Sequence, residues 1–168
     1  MTDKIADVEG VKEVLPVGYA RCMDSSGNIS GVLITDLKRL SKFLNLTPVT
    51  GSLESEGLKN TTIIMSEVIA ERVGVMAGNN TILTTEAGNF TFTVAAVYDV
   101  EVYMYWIWFW QSPLAELIIM DVNAARTCFP WSFGDMAVAF LVKVKEGYDP
   151  AIVKKDIIET LGEGAVSG

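Results

Sequence analysis

The stretch from Thr61 to Asp99 constrains this chain more than any other. Thr61 to Met65 is a short run of β-branched and apolar residues, which predicts a buried strand. Ser66 is placed to cap a helix by accepting a hydrogen bond from a free backbone N–H, and Glu67 sits at the positive helix end. Val68, Ile69, Ala70 and Val73 give that helix an apolar side for about two turns. Gly74 stands where a left-handed residue ends it. Thr81 to Thr85 and Phe90 to Tyr98 read as strands, joined by Glu86-Ala87-Gly88-Asn89. Gly88 and Asn89 tolerate positive φ, so the joint predicts a hairpin. None of these residues forms a recognisable catalytic set.

The flanks read as mixed α and β. Val11 to Met23 predicts a strand interrupted by Pro16 and Gly18, and Asp24-Ser25-Ser26-Gly27-Asn28 a turn into a second strand, Ile29 to Thr35. Asp36 can cap a helix over Leu37–Leu46, with Leu37, Leu40 and Leu44 on one face. Thr47 to Asn60, with Pro48, Gly51 and Gly57, reads as a linker. Ile119 to Phe129 predicts a short strand followed by a turn of helix around Asn123–Arg126, and Ala137 to Val144 a continuous apolar strand. Asp149 as N-cap and Pro150 at the first helical position start a last helix. Its expected inner stripe is Ile152, Val153, Ile157 and Leu161, and Gly162 ends it. Asp3 to Glu9 reads as the last turn of a helix. The expected fold is α+β, a mixed-sheet two-lobed domain. Its chain ends, 1–50 and 114–168, form one lobe, with a strand-rich lobe, 51–113, inserted.

Composition narrows the function. The net charge is −8, and the 13 Lys and Arg residues are scattered, which argues against nucleic acid, whose phosphates require clustered cations. There is no histidine, which removes Ser-His and Cys-His catalysis and the commonest general base. The mean hydropathy of +0.33 is high, yet no stretch reaches the ~20 apolar residues that cross a bilayer. The opening MTDKIAD has neither the charged nor the apolar region of a signal peptide. These traits fit a soluble piece of a membrane protein, and equally a cytoplasmic protein with a large core. The acidic pairs Glu54/Glu56 and Glu67/Glu71 have no nitrogen or sulfur ligand nearby and read as solvated surface. No cofactor or metal is expected, and no enzyme.

Five of the seven asparagines, Asn28, Asn45, Asn60, Asn79 and Asn89, head an Asn-x-Ser/Thr triplet, where chance predicts about one. Asn28, Asn60, Asn79 and Asn89 are the candidates for N-glycosylation; Pro48 after Thr47 weakens Asn45. The plainer alternative is that turns favour Asn, Ser and Thr. Cys22 and Cys128 are the only cysteines. They could bridge, stabilising by roughly 4–5 kcal/mol, or lie as two small buried apolar side chains.

In its ordered segments the chain resembles the extracytoplasmic core domains of FtsX/MacB/LolC-type ABC transporter permeases. Ser66, Glu67, Ala70, Val73, Gly74, Val75, Gly78 and Gly88 match the family's strand–Ser-Glu–helix–Gly–strand–Gly–strand segment. Gly10, Val11, Val14 and Pro16 match the lead-in to its first strand, and the segment from Ala137 through Leu161 its closing strand and helix. Asn79-Asn80 and Ala95-Ala96 depart from the pattern. The resemblance implies a non-catalytic domain on the extracytoplasmic face of a cell membrane, partnered through the rest of the permease by a cytoplasmic ABC ATPase subunit and a second permease copy. Its role would be to transmit ATP-driven motion to a lipid, peptide or protein outside. The two chain ends should then lie near each other.

Val102 to Trp110, VYMYWIWFW, is outside that pattern. Read as a strand it has two apolar faces; at nine residues it is too short to span a bilayer. It reads as core, as a membrane contact, or as a partner surface, with Tyr105, Trp106, Trp108, Phe109 and Trp110 as contacts. The alternative function from a different class is a secreted or surface-layer domain gripping a ligand with this run.

Overall fold

The computed structural model describes residues 2–43, 48–52, 61–98, 117–129 and 139–162. The described elements run α1 (Thr2–Ala6), β1 (Val11–Met23), β2 (Ile29–Thr35), α2 (Leu37–Phe43), β3 (Pro48–Gly51), β4 (Thr62–Ser66), α3 (Glu67–Val73), β5 (Asn80–Thr85), β6 (Gly88–Tyr98), β7 (Leu117–Asp121), α4 (Val122–Cys128), β8 (Ala139–Val144) and α5 (Pro150–Leu161). The mixed α+β expectation holds.

One 8-stranded sheet carries the fold, in the order β2-β7-β4-β6-β5-β1-β8 with β3 on β6. Because β1 also pairs with β2, six of these strands close into a ring. The β5–β1 seam is narrow, resting on the pair Met23↔Thr84. β2–β7 and β4–β6 are parallel, whereas β4–β7, β5–β6 and β1–β2 are antiparallel. β3 to β6, from the middle of the chain, thus share a sheet with strands from both ends.

Strand alternation sorts the apolar side chains into two cores. Val32, Ile34, Ile63, Met65, Ile118 and Met120 form one with Ile69 of α3 and Ala125 of α4. Leu33, Ile64, Leu117 and Ile119 point the other way, against Leu37, Leu40 and Phe43 of α2. Covered on both faces, β4 and β7 are continuous apolar runs, as internal strands must be. A third cluster belongs to the chain ends alone. Ile5 of α1, Val11 and Val14 of β1, and Val153 and Ile157 of α5 pack together, so α1 and α5 lie against each other.

Four expectations need correction. β1 is unbroken through Pro16 and Gly18, but it changes partner there. Val11 to Val17 pairs with β8, and Gly18 to Met23 with β2. The two residues that disfavour a regular ladder sit at the switch. The linker reading of Thr47 to Asn60 missed β3, which pairs with Ala96, Val97 and Tyr98. Gly51 makes that pairing feasible: its φ is +80, and a Cβ there would collide with the Ala95 carbonyl oxygen. Val68 does not join the apolar side of α3: it is 38% exposed, whereas Ile69 and Ala70 are buried. Ile152 is not in the inner stripe of α5. It is 58% exposed, and Val153 and Ile157 face the core.

Candidate functional site

The helix starts organise the polar interior. Ser66 (φ −68, ψ 152) caps α3 by accepting from the Ile69 N–H, and Gly74 (φ 73) closes it, its N–H donating to the Ala70 carbonyl. Asp121 serves two helices. Its Oδ2 accepts from the Asn123 N–H at 3.1 Å, capping α4, and its Oδ1 accepts from the Leu37 N–H of α2 at 3.2 Å. This follows from register: parallel β2 and β7 end together at Thr35↔Asp121, so both following helices begin at one carboxylate.

The largest polar constellation surrounds Asp24, whose side chain is wholly buried. It accepts from the Ser26 N–H at 2.9 Å, from the Ser26 hydroxyl, from the Asn28 N–H at 3.2 Å and from the Ser30 hydroxyl at 2.9 Å. The Arg72 guanidinium reaches it at 2.7 Å and the Ser30 hydroxyl at 2.9 Å. Burial pushes the carboxyl up, but the donors from Ser26, Arg72 and Ser30 outweigh it and hold the pKa at about 2. The arrangement ties the β1–β2 turn to the last turn of α3. Asp24 to Asn28 form the turn that the sequence predicts, but the Arg72 partner of Asp24 lies 48 residues away and no local pattern points to it. Fully paired, the cluster offers neither a free base nor an open coordination position.

Cys22 and Cys128 are unbridged and buried in the same core cluster. Burial pushes both thiols up, Cys22 to about 12, with Asp24 and Cys128 adding to it, and Cys128 to about 11. They behave as apolar side chains and not as nucleophiles. Glu67 is half-buried and Glu71 exposed on α3. Among the described residues no group of His, Cys, Asp or Glu is arranged to hold a metal.

Of the asparagines, Asn28, Asn79 and Asn89 are exposed. Asn28 donates to the Ser26 hydroxyl, Asn79 accepts from the Met76 N–H, and Asn89 accepts from the Thr84 hydroxyl. Asn45 and Asn60 lie outside the described residues, as do Tyr105, Trp106, Trp108, Phe109 and Trp110. The aromatic segment is nonetheless bracketed. Tyr98 precedes it and Leu117 follows it, both are buried, and the Tyr98 hydroxyl donates to the Leu117 carbonyl at 3.1 Å. Between α1 and α5 lies a cleft of about 420 Å³ with Asp7, Glu9, Asp156, Glu159 and Lys4 on its walls. No described helix is long and apolar enough to cross a membrane.

No protein-family model and no curated protein matches the chain. The fold is nevertheless one found in the extracytoplasmic domains of ABC-type transporter permeases. The chain is similar to the periplasmic region of MacB from Actinobacillus actinomycetemcomitans, with a TM-score of 0.60 and 12% identity over 95% of this chain and 70% of that one. It is also similar to the extracellular domain of the noncanonic ABC-type transporter YknZ from Gram-positive bacteria, with a TM-score of 0.62 and 13% identity over 98% and 81%. A domain of a candidate permease protein from Porphyromonas gingivalis gives a TM-score of 0.52 and 15% identity over 91% and 70%. At such identities the likeness is one of fold.

Proposed function

We propose that this chain is the non-catalytic extracytoplasmic domain of an ABC transporter permease, which passes ATP-driven motion to a lipid, peptide or protein outside the membrane. The observation that carries the reading is the fold likeness over 91–98% of the chain. The mutual packing of α1 and α5 supports it, because a body joined to membrane helices at both ends needs its ends together. A close-packed body moves as a unit, so displacement at the chain ends reaches the far strands with little loss. A cytoplasmic ATPase and a second permease copy are the partners this mechanism requires.

Two measurements test the proposal. The coding sequence on either side should encode apolar spans of ~20 residues; a signal peptide before the chain and a stop codon after it would instead favour a secreted ligand-binding domain. In the complete transporter reconstituted with its ATPase, spin labels at exposed Ile29 and Ile152 should keep their mutual distance when ATP is bound. The distance from Ile29 to its counterpart in the second copy should change. If the distance between the copies does not respond to ATP, or the distance from Ile29 to Ile152 does, the lever reading is wrong.

A further inference from the structure

Five Asn-x-Ser/Thr triplets in one chain invite the question of which the folded protein can present to a modifying enzyme. Recognition of the triplet requires both the asparagine amide and the hydroxyl two residues later. In four of the five triplets the hydroxyl residue lies among the described residues, and three of those are buried: Ser30 (3% exposed), Thr62 (8%) and Thr81 (4%). Ser30 is also committed to Asp24 and Arg72. Ser30, Thr62 and Thr81, the hydroxyl residues of the triplets headed by Asn28, Asn60 and Asn79, are therefore sequestered by the fold. Thr91 alone is exposed.

Strand geometry makes Asn89 and Thr91 a matched pair. β6 is extended from Gly88, and residues two apart in a strand share a face. Asn89 and Thr91 thus stand together on the outer side, while Phe90 packs toward the core. Asn89 directly follows the turn of the β5–β6 hairpin and is exposed. Its carbonyl oxygen accepts the Thr84 hydroxyl at 2.8 Å, which orients the amide and leaves Nδ2 as the group still to be used. The surroundings also suit a covering. Met23 pairs with Thr84, Thr84 with Asn89, and Ile82 with Thr91, so Met23 (45% exposed) and Ile82 (48%) share that outer face. Apolar side chains this exposed beside the acceptor would be shielded by a bound sugar.

We infer that Asn89 is an N-glycan acceptor of the folded domain, whereas Asn28, Asn60 and Asn79 accept sugar only from the unfolded chain. The donor is a lipid-linked oligosaccharide activated as a glycosyl phosphate. Asn89 Nδ2 bonds to the anomeric carbon and the carbon–oxygen bond to phosphate breaks. The phosphate leaves with that electron pair, and the displaced amide proton passes to a base of the transferase.

The test uses the 168-residue chain made without sugar. It is incubated, folded, with a membrane fraction holding an oligosaccharyltransferase for Asn-x-Ser/Thr and its lipid-linked oligosaccharide, and the products are mapped by glycopeptide mass spectrometry. Short peptides carrying each triplet are added to the same reaction, which is run until they are modified. Asn89 of the folded chain should be occupied at least tenfold more than Asn28, Asn60 or Asn79, while the peptides differ little. Thr91→Ala should abolish the sugar at Asn89 and Thr91→Ser should retain it, both with unchanged unfolding midpoints. An unmodified Asn89 in the folded chain, or equal occupancy at Asn28 or Asn79, overturns the inference.

Discussion

The Tyr98 hydroxyl donates to the Leu117 carbonyl at 3.1 Å, so the end of β6 and the start of β7 are joined to each other inside the core. β4 lies between them, with Ser66 beside Tyr98 in the parallel register and Met65 opposite Ile118 in the antiparallel one. The phenol spans that strand's end, and burial pushes its pKa up, beyond the usual tyrosine range. Tyr98 and Leu117 are both buried in the core.

Removing the phenol hydroxyl should therefore weaken the whole domain. Tyr98→Phe strands a buried acceptor, which costs about 1–3 kcal/mol, and Tyr98→Ala adds a cavity for a total of about 3–5 kcal/mol. Urea titration followed by circular dichroism checks both. The midpoint should fall with an unchanged slope; a Phe variant as stable as the parent would show that the bond contributes nothing.

Acid should attack the Asp24 cluster first. The folded carboxyl titrates at about 2, against 3.8 for an unperturbed one, so the unfolded chain holds this proton more tightly. The stability Asp24 contributes is therefore present above about pH 4 and is lost as pH falls toward 2. At order of magnitude it amounts to about 2 kcal/mol at neutral pH. Asp24→Asn should lower the unfolding midpoint at pH 7 and flatten its fall between pH 4 and pH 2. An unaltered acid limb in the variant would remove Asp24 from the account.

These two residues show what local sequence can and cannot convey. Ser66, Gly74, Asp149 and Pro150 announce helix ends through short-range chemistry, and the structure has caps at each. β2 and β6 were legible from apolar alternation and β-branched content, and the ordered match of central, first and last segments pointed to the permease-domain fold. What stayed hidden was long-range. β3 is only four residues, Pro-Val-Thr-Gly, with no periodicity to detect; it is a strand because β6 offers an edge. Arg72 reads as a solvated helix residue until the β1–β2 turn arrives beside it. Ile152 and Val153 are equally apolar, and only the position of α1 decides which is buried. The Asn triplets were visible as a count, but their ranking depends on which hydroxyls the sheet buries.

Asp121 should be worth more than an ordinary cap. Asp121→Ala removes the partners of the Asn123 and Leu37 N–H groups at once. A lost cap costs about 1 kcal/mol and a stranded buried donor about 1–3 more. Asp121→Asn keeps an acceptor for one of them and should lose less than half as much. Amide hydrogen exchange distinguishes this from general loosening: Leu37 and Asn123 should lose protection together in the alanine variant, ahead of Ile63 and Ile64 in β4.

The cysteines yield the sharpest chemical test. Burial holds both thiols protonated, at about 12 and about 11, and the thiolate is the reactive form. Both sit in the cluster under α3 and α4, so reagent reaches them only when that layer opens. An aromatic disulfide reagent at pH 8 should label the native chain more than a hundredfold slower than the chain in guanidinium, releasing two equivalents once unfolded. Because the two are unbridged, dithiothreitol should leave the thermal midpoint unchanged. A midpoint that falls on reduction, with no free thiol in the unfolded oxidised chain, would show that Cys22 and Cys128 pair. That outcome would replace two apolar side chains with a cross-link between β1 and α4.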